Sequence, residues 1–219
     1  YGTGSFLTTG SSNTALGYNA YLSQSAGHGN HLAGDDNTFI GAYSGDGAYA
    51  SATGVENMTA VGYLTLSGAL TGAANGAVAI GHSALGALTT GAQNIAMGYG
   101  SADLITTGEQ NVIIGYEALT AADGDESYNT VVGRAAMGAV NADAADGNVA
   151  IGGGALYGGG AAVINCVAVG YNALGSTAAN AQTGLVAVGK SALAAVTSGV
   201  GNVAVGYEAL ATHTTGSRN

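Results

Sequence analysis

Asn111-Val112-Ile113-Ile114-Gly115-Tyr116-Glu117-Ala118-Leu119 and Asn202-Val203-Ala204-Val205-Gly206-Tyr207-Glu208-Ala209-Leu210 are one phrase written twice. Its first half recurs along the chain as NTALG, NTFIG, MTAVG, AVAIG, NIAMG, NVIIG, NTVVG, NVAIG, CVAVG, LVAVG and NVAVG. These eleven copies end on Gly17, Gly41, Gly62, Gly81, Gly98, Gly115, Gly133, Gly152, Gly170, Gly189 and Gly206. The intervals are 24, 21, 19, 17, 17, 18, 19, 18, 19 and 17 residues. A fixed short period of this kind is the mark of a stacked repeat architecture. Residues 1–219 are therefore read as a single array, with irregular long-loop coils over 1–62 and regular coils of 17–19 residues over 63–219.

The columns carry the prediction of strands. One residue before the glycine stands Leu, Ile, Val or Met in every copy, three before it stands Thr, Val or Ile, and between them stands Ala in eight copies. A period of two marks a short strand. The expectation is that the bulky columns turn inward as ladders, while Ala allows close packing against a neighbouring face or chain. The glycine permits a tight bend or a close backbone approach. A second short segment follows, as in YNAL, HSAL, YEAL, RAAM and KSAL, and is expected to be a second strand before a turn such as Thr106–Gly108. Units of about 18 residues cannot bury an apolar face alone, whereas coils stacked in parallel register can. About twelve coils at about 4.8 Å each would make a rod of roughly 55 Å. Recurrent glycine argues against helix at a cost near 1 kcal/mol per residue.

Composition narrows the function classes. Gly (40) and Ala (44) fill 84 of 219 positions, Trp and Pro are absent, and charged residues are 7%, against about 25% in an ordinary domain. A conventional packed enzyme core is not expected. Mean hydropathy of +0.28 excludes a charged disordered tail, and the absence of Pro and of glycine at every third position excludes collagen. The net charge of −10 rests on three basic residues, Arg134, Lys190 and Arg218, so no nucleic-acid partner is expected. Nor is membrane insertion: Gly147 to Gly189 holds no charge, but its glycine and asparagine clusters leave no span of about 20 apolar residues. Cys166 reads as a small buried hydrophobe.

Repeats of the form (N/S)-x-A-(I/V)-G-x-x-A-L resemble the head repeats of YadA-like trimeric autotransporter adhesins, which also occur in phage tail-fibre proteins. The resemblance covers essentially the whole chain and implies a parallel, left-handed β-roll with three chains around a common axis. The coils here are longer than the usual adhesin head coil. Tyr1 lies twelve residues before Asn13, as Tyr99 does before Asn111 and Tyr207 before Asn219, so both ends fall at one phase of the repeat. With Tyr1 in place of Met and no signal peptide, the expectation is an excerpt of a longer fibre.

Chemistry-bearing patterns are few. Gly184–Ser191, GLVAVGKS, fits the phosphate-loop pattern, yet its middle residues are the repeat strand and Lys190 stands in a column otherwise rich in Tyr. A phosphate loop needs a helix after the glycines, so the pattern is read as repeat. Candidate metal residues are His28, His31, Asp35 and Asp36 in one loop and Asp123 and Asp125, beside Glu126, in another. Neither has the spacing of a zinc site or an EF-hand, and solvated polar loops are the preferred reading. Nothing in the spacing groups a nucleophile, base and acid. Threonine precedes the strand only at Thr14, Thr38, Thr59 and Thr130, too few for a regular ice-binding face. Directly after the glycine stand Tyr18, Tyr63, Tyr99, Tyr116, Tyr171 and Tyr207, with His82, Arg134 and Lys190 in other copies. Exchange with basic residues points to an exposed ladder that covers the turn or contacts sugar rings.

The expected fold is thus an all-β parallel β-roll or solenoid, trimeric by resemblance. Its expected function is a structural and adhesive fibre segment, phage tail fibre or extracellular filament, that presents loops and an outer face to a host-surface glycan or protein. The alternatives are an adhesin head domain and, from another class, a fibre-borne glycan-degrading enzyme, which would need paired carboxylates fixed in a groove. No enzymatic activity and no cofactor are expected, and the location is extracellular, at a cell surface or on a virion.

Overall fold

A computed structural model describes residues 10–21, 34–47, 54–121, 124–140, 145–158, 162–176 and 181–219. The chain forms two compact units, Tyr1–Gln110 and Asn111–Asn219. In the first unit β1 (Thr14–Leu16), β2 (Thr38–Ile40), β3 (Thr59–Val61), β4 (Val78–Ile80) and β5 (Ile95–Met97) pair in that order, all parallel. In the second, β6 (Val112–Ile114), β7 (Thr130–Val132), β8 (Val149–Ile151), β10 (Val167–Val169), β12 (Val186–Val188) and β14 (Val203–Val205) form one parallel sheet. There β9 (Val163–Ile164), β11 (Gln182–Thr183) and β13 (Gly199–Val200) form a second, narrower one. Register is set by the repeat: Val149 faces Val167, Ala150 faces Ala168 and Ile151 faces Val169. The described residues hold no helix, and the fold is an all-β parallel solenoid. Among the described residues it has about eight turns, fewer than the twelve expected. The opening intervals of 24 and 21 residues run through residues outside the described set.

The inward face is the reverse of the one expected. The central residue of every main-sheet strand after β1 is buried, as Phe39, Ala60, Ala79, Ala96, Ile113, Val131, Ala150, Ala168 and Ala187 all are, while the residues flanking it point outward. Ile95, Met97 and Ile151 are 37%, 40% and 39% exposed. The second Ala column, from Ala84 through Ala118, Ala155 and Ala173 to Ala192, is buried too. Association through Ala faces is therefore corrected, because those residues line the interior. The physical reason is width. Leu66, Leu85, Leu119, Met137, Leu156, Leu174 and Leu193, together with Leu70, Leu88, Ile105, Val140 and Val196, are fully buried as well and take up interior space. Only a small central side chain fits between them in most coils. Burying each Leu contributes about 1.5–3 kcal/mol.

The segment after the glycine is a turn ribbon, not the expected second strand of four or five residues. Two residues past the glycine the backbone is left-handed, with φ of 48° to 63° in the second unit, and four past it again, with φ of 49° or 50° from Leu119 to Leu210. Between them sits a buried residue, usually Ala. The two reversals aim successive N–H groups at opposite neighbours. Asn172 N–H donates to Gly153 O in the preceding coil (3.0 Å), and Leu174 N–H donates to Ala192 O in the following coil (3.0 Å). Left-handed Leu costs about 1–2 kcal/mol, which burial of the same side chain offsets. The anchor glycine is required twice over. At Gly170 φ is +136°, and an added Cβ would stand 2.6 Å from the Gly189 carbonyl carbon.

A buried asparagine ladder runs beside the strands, four residues before the glycine. Asn129 Nδ2 donates to Asn111 Oδ1 (3.1 Å) and to Ala145 O (2.6 Å), and Asn129 Oδ1 accepts from the N–H (2.9 Å) and Nδ2 (3.1 Å) of Asn148. Asn148 repeats the pattern onto Val163 O and Cys166 N–H. In the first unit Asn13 and Asn37 do the same, ending on Met58 N–H. Each carboxamide satisfies backbone groups of the next coil that the short strands leave over.

Candidate functional site

The outer edge at the residue after the glycine is the most chemically varied line on the molecule, because that residue points outward and bears no packing duty. Tyr18, Tyr63, Tyr99, Tyr116, Tyr171 and Tyr207 are all exposed. In the first unit the rings form a continuous line, though not the expected one. Tyr43, two residues past its glycine, stands edge-on between Tyr18 (5.4 Å) and Tyr63 (5.8 Å). His82 then continues from Tyr63 (5.2 Å) to Tyr99 (4.8 Å, stacked). Partial desolvation, with the neighbouring Tyr18 and Tyr63, raises the Tyr43 hydroxyl above its ordinary range. The sequence reading missed Tyr43 because Ala42 occupies its copy of the column. Tyr21, by contrast, is buried and stacked on Phe39 (4.5 Å), and burial pushes its pKa up to about 12.

In the second unit basic residues interleave with the rings. Arg134 lies over Tyr116 (5.9 Å) and Lys190 over Tyr207 (5.3 Å). Between Arg134 and Tyr171 the column holds Gly153, so one side chain of the outer line is missing. That gap opens a groove of about 630 Å³, bordered by Arg134, Tyr157, Tyr171, Asn172 and Ser191, with Glu117 and Ser176 at its ends. Tyr171 is 59% exposed and Tyr157 44%. Among the described residues no carboxylate forms an ion pair with Arg134. The sequence signal for this site was Gly153-Gly154, one of the glycine clusters that interrupt the uncharged stretch from Gly147 to Gly189.

The other candidates fare differently. His28, His31 and Asp123 lie outside the described residues. Asp35 Oδ1 accepts from Ser11 N–H (2.6 Å) and Oγ (2.9 Å), bonds that hold its carboxyl below the usual range and clamp one coil to the next. Asp36 and Asp125 are exposed, and no group of three or more metal-ligating residues occurs among the described residues. In GLVAVGKS the middle residues include β12 and Lys190 rests on Tyr207, with turn residues following. Cys166 occupies the asparagine column, buried, and burial raises its thiol pKa. Comparison with protein-family models, curated proteins and solved structures finds no match for this chain.

Proposed function

We propose that this chain is a segment of a structural and adhesive fibre, three copies packed in parallel, with the residues after the anchor glycines facing a host surface. The observation that carries the reading is the outward aliphatic side chain one residue before each anchor glycine, joined on seven of the eleven main-sheet strands by a second three residues before it, as in Ile95 and Met97 or Val149 and Ile151. Repeated along each unit, these aliphatic side chains make a contiguous apolar face of a kind rarely left open to water. Side-by-side copies would cover it, and in-register coils would turn many weak contacts into one long interface. Three-fold closure rests on the resemblance to YadA-like head repeats, as do the phage-fibre and adhesin-head alternatives and the extracellular or virion location. The aromatic edge supports contact with sugar or protein surfaces.

Sedimentation equilibrium tests the assembly. A trimer at micromolar concentration is expected, reduced to a folded monomer by Val132→Lys, Ile151→Lys and Val169→Lys together. A monomer for the unsubstituted chain refutes it. Glycan and host-protein arrays test adhesion: retention without turnover is expected, whereas release of cleaved glycan would favour the glycan-degrading alternative.

A further inference from the structure

We propose that the groove at Gly153 is a subsite for a single carboxylate-bearing pyranose. The proposal rests on the adhesive reading and deepens it by giving one ligand chemistry to one place. Four observations on the second unit converge. Arg134 is the one cation among the described residues that border the groove, and a guanidinium recognises a carboxylate through two parallel N–H donors. Tyr171 and Tyr157 present exposed rings, against which the C–H face of a pyranose packs while its hydroxyl edge stays free. Asn172, Ser176 and Ser191 supply an amide and two hydroxyls for that edge, and the Glu117 carboxylate accepts from sugar hydroxyls. The volume falls within the range of small-molecule sites, about 300–1,000 Å³.

The charge balance sets the ligand apart from a polyanion. With a net charge of −10 over the chain and Glu117 at the groove itself, one acidic group beside Arg134 is favoured and a run of them is repelled. An acidic peptide shares the carboxylate, but it would need apolar pockets for its other side chains. Among the described residues the aliphatic side chains that line the groove are Ala135 and Ala194.

Gly153 also gives a clean way to close the site. Unlike Gly152 and Gly154 it has no left-handed φ, and an added Cβ would make ordinary contact with Tyr171, at 3.4 Å. Gly153→Tyr restores the side chain most common in its column and fills the groove without disturbing the coil. Titration calorimetry of the full chain with methyl glucuronide, methyl galacturonide, the methyl glycoside of N-acetylneuraminic acid, neutral methyl glucoside and an acetylated Glu peptide provides the test. At least one acidic glycoside is expected to bind ten-fold or more tightly than the glucoside. Gly153→Tyr should abolish that binding, and Arg134→Gln should remove the preference for acid. Because Arg134 is exposed, Arg134→Gln keeps the question open to decision even if Gly153→Tyr fails to fold. Equal binding of glucoside, tighter binding of the peptide, no binding of any acidic glycoside, or binding that survives Gly153→Tyr would each overturn the subsite. If arrays still retain the chain in any of those cases, adhesion stands and only the subsite falls; if arrays retain nothing, both fall.

Discussion

Replacing Asn129 by Ala isolates what the asparagine ladder contributes. The side chain makes four hydrogen bonds, two as donor to Asn111 Oδ1 and Ala145 O and two as acceptor from Asn148. Not all of the loss is equal. Asn111 Oδ1 keeps the Asn129 N–H (2.9 Å), and Asn148 Nδ2 keeps Val163 O (2.6 Å). The Asn148 N–H and the Ala145 carbonyl, both in fully buried residues, lose the carboxamide that served them. A buried backbone group left unsatisfied costs about 1–3 kcal/mol, so Asn129→Ala is expected to lose about 2–6 kcal/mol. Cys166→Ala is the control, since Cys166 stands in the same column but its Sγ meets the backbone of Ile164 (3.5 Å), Gly184 and Leu185 only through weaker sulfur hydrogen bonds. It should lose about 1–2 kcal/mol. Urea unfolding gives both values, and hydrogen exchange at the Asn148 amide should quicken in Asn129→Ala alone. If the two variants unfold within about 0.5 kcal/mol of each other, the ladder is incidental to stability and the reasoning is wrong.

Four further outcomes are expected. Val131→Asp should unfold its coil, since Val131 is fully buried and an unpaired carboxylate there costs several kcal/mol, whereas Val132→Asp, on the outward side, should shift urea unfolding of the monomer by less than about 1 kcal/mol. Gly170→Ala should lose at least about 2 kcal/mol by calorimetry, because its φ of +136° and the Gly189 carbonyl both exclude a side chain. Glu208→Gly should gain about 0.5–1 kcal/mol in the same measurement, since Glu208 is exposed at φ 53° and bears the left-handed cost without buried compensation. Tyr21 has a folded-state pKa raised to about 12 from 10.0, so its contribution is fully present below pH 10 and lost as pH rises to 12. Absorbance titration should show a late-ionising tyrosine, absent in Tyr21→Phe.

How far the fold could be read from the chain depends on what a period does and does not carry. The spacing of Gly115, Gly133 and Gly152 fixes coil length, parallel pairing and register, because equivalent residues must meet when coils stack. Alternation over Val149, Ala150 and Ile151 says that two faces exist, but not which is inside. That is decided by interior width, which depends on residues elsewhere in the coil: with Leu156 and Leu174 already buried inside, a small residue such as Ala150 suits the strand centre. The left-handed Leu was illegible for a related reason, since its local cost argues against the conformation and only burial and inter-coil bonding overcome it. The asparagine ladder did leave a signal. Asn at one position, replaced only by Met, Ala, Cys or Leu, marks a column that is buried and takes either a fully bonded carboxamide or a side chain with little need of hydrogen bonds.

Exposure of the aromatic edge was legible from exchange of Tyr with Arg134 and Lys190, but the groove was not, because it comes from one absent side chain. In a stack where each coil contacts only its neighbours, stability is the sum of many similar terms. The buried columns supply those terms, so losing Asn129 or Val131 is felt at once in the coils on either side. A change in the outward column costs little, as the Tyr, His, Arg, Lys, Ala and Gly found there attest. Chemistry on such a fold is therefore to be sought where an outward column departs from its commonest residue while the buried columns of the same coil stay intact. The coil of Gly153 meets that condition: Asn148, Ala150, Ala155 and Leu156 are all buried, and the residue that differs is the one that opens space between a guanidinium and a tyrosine ring.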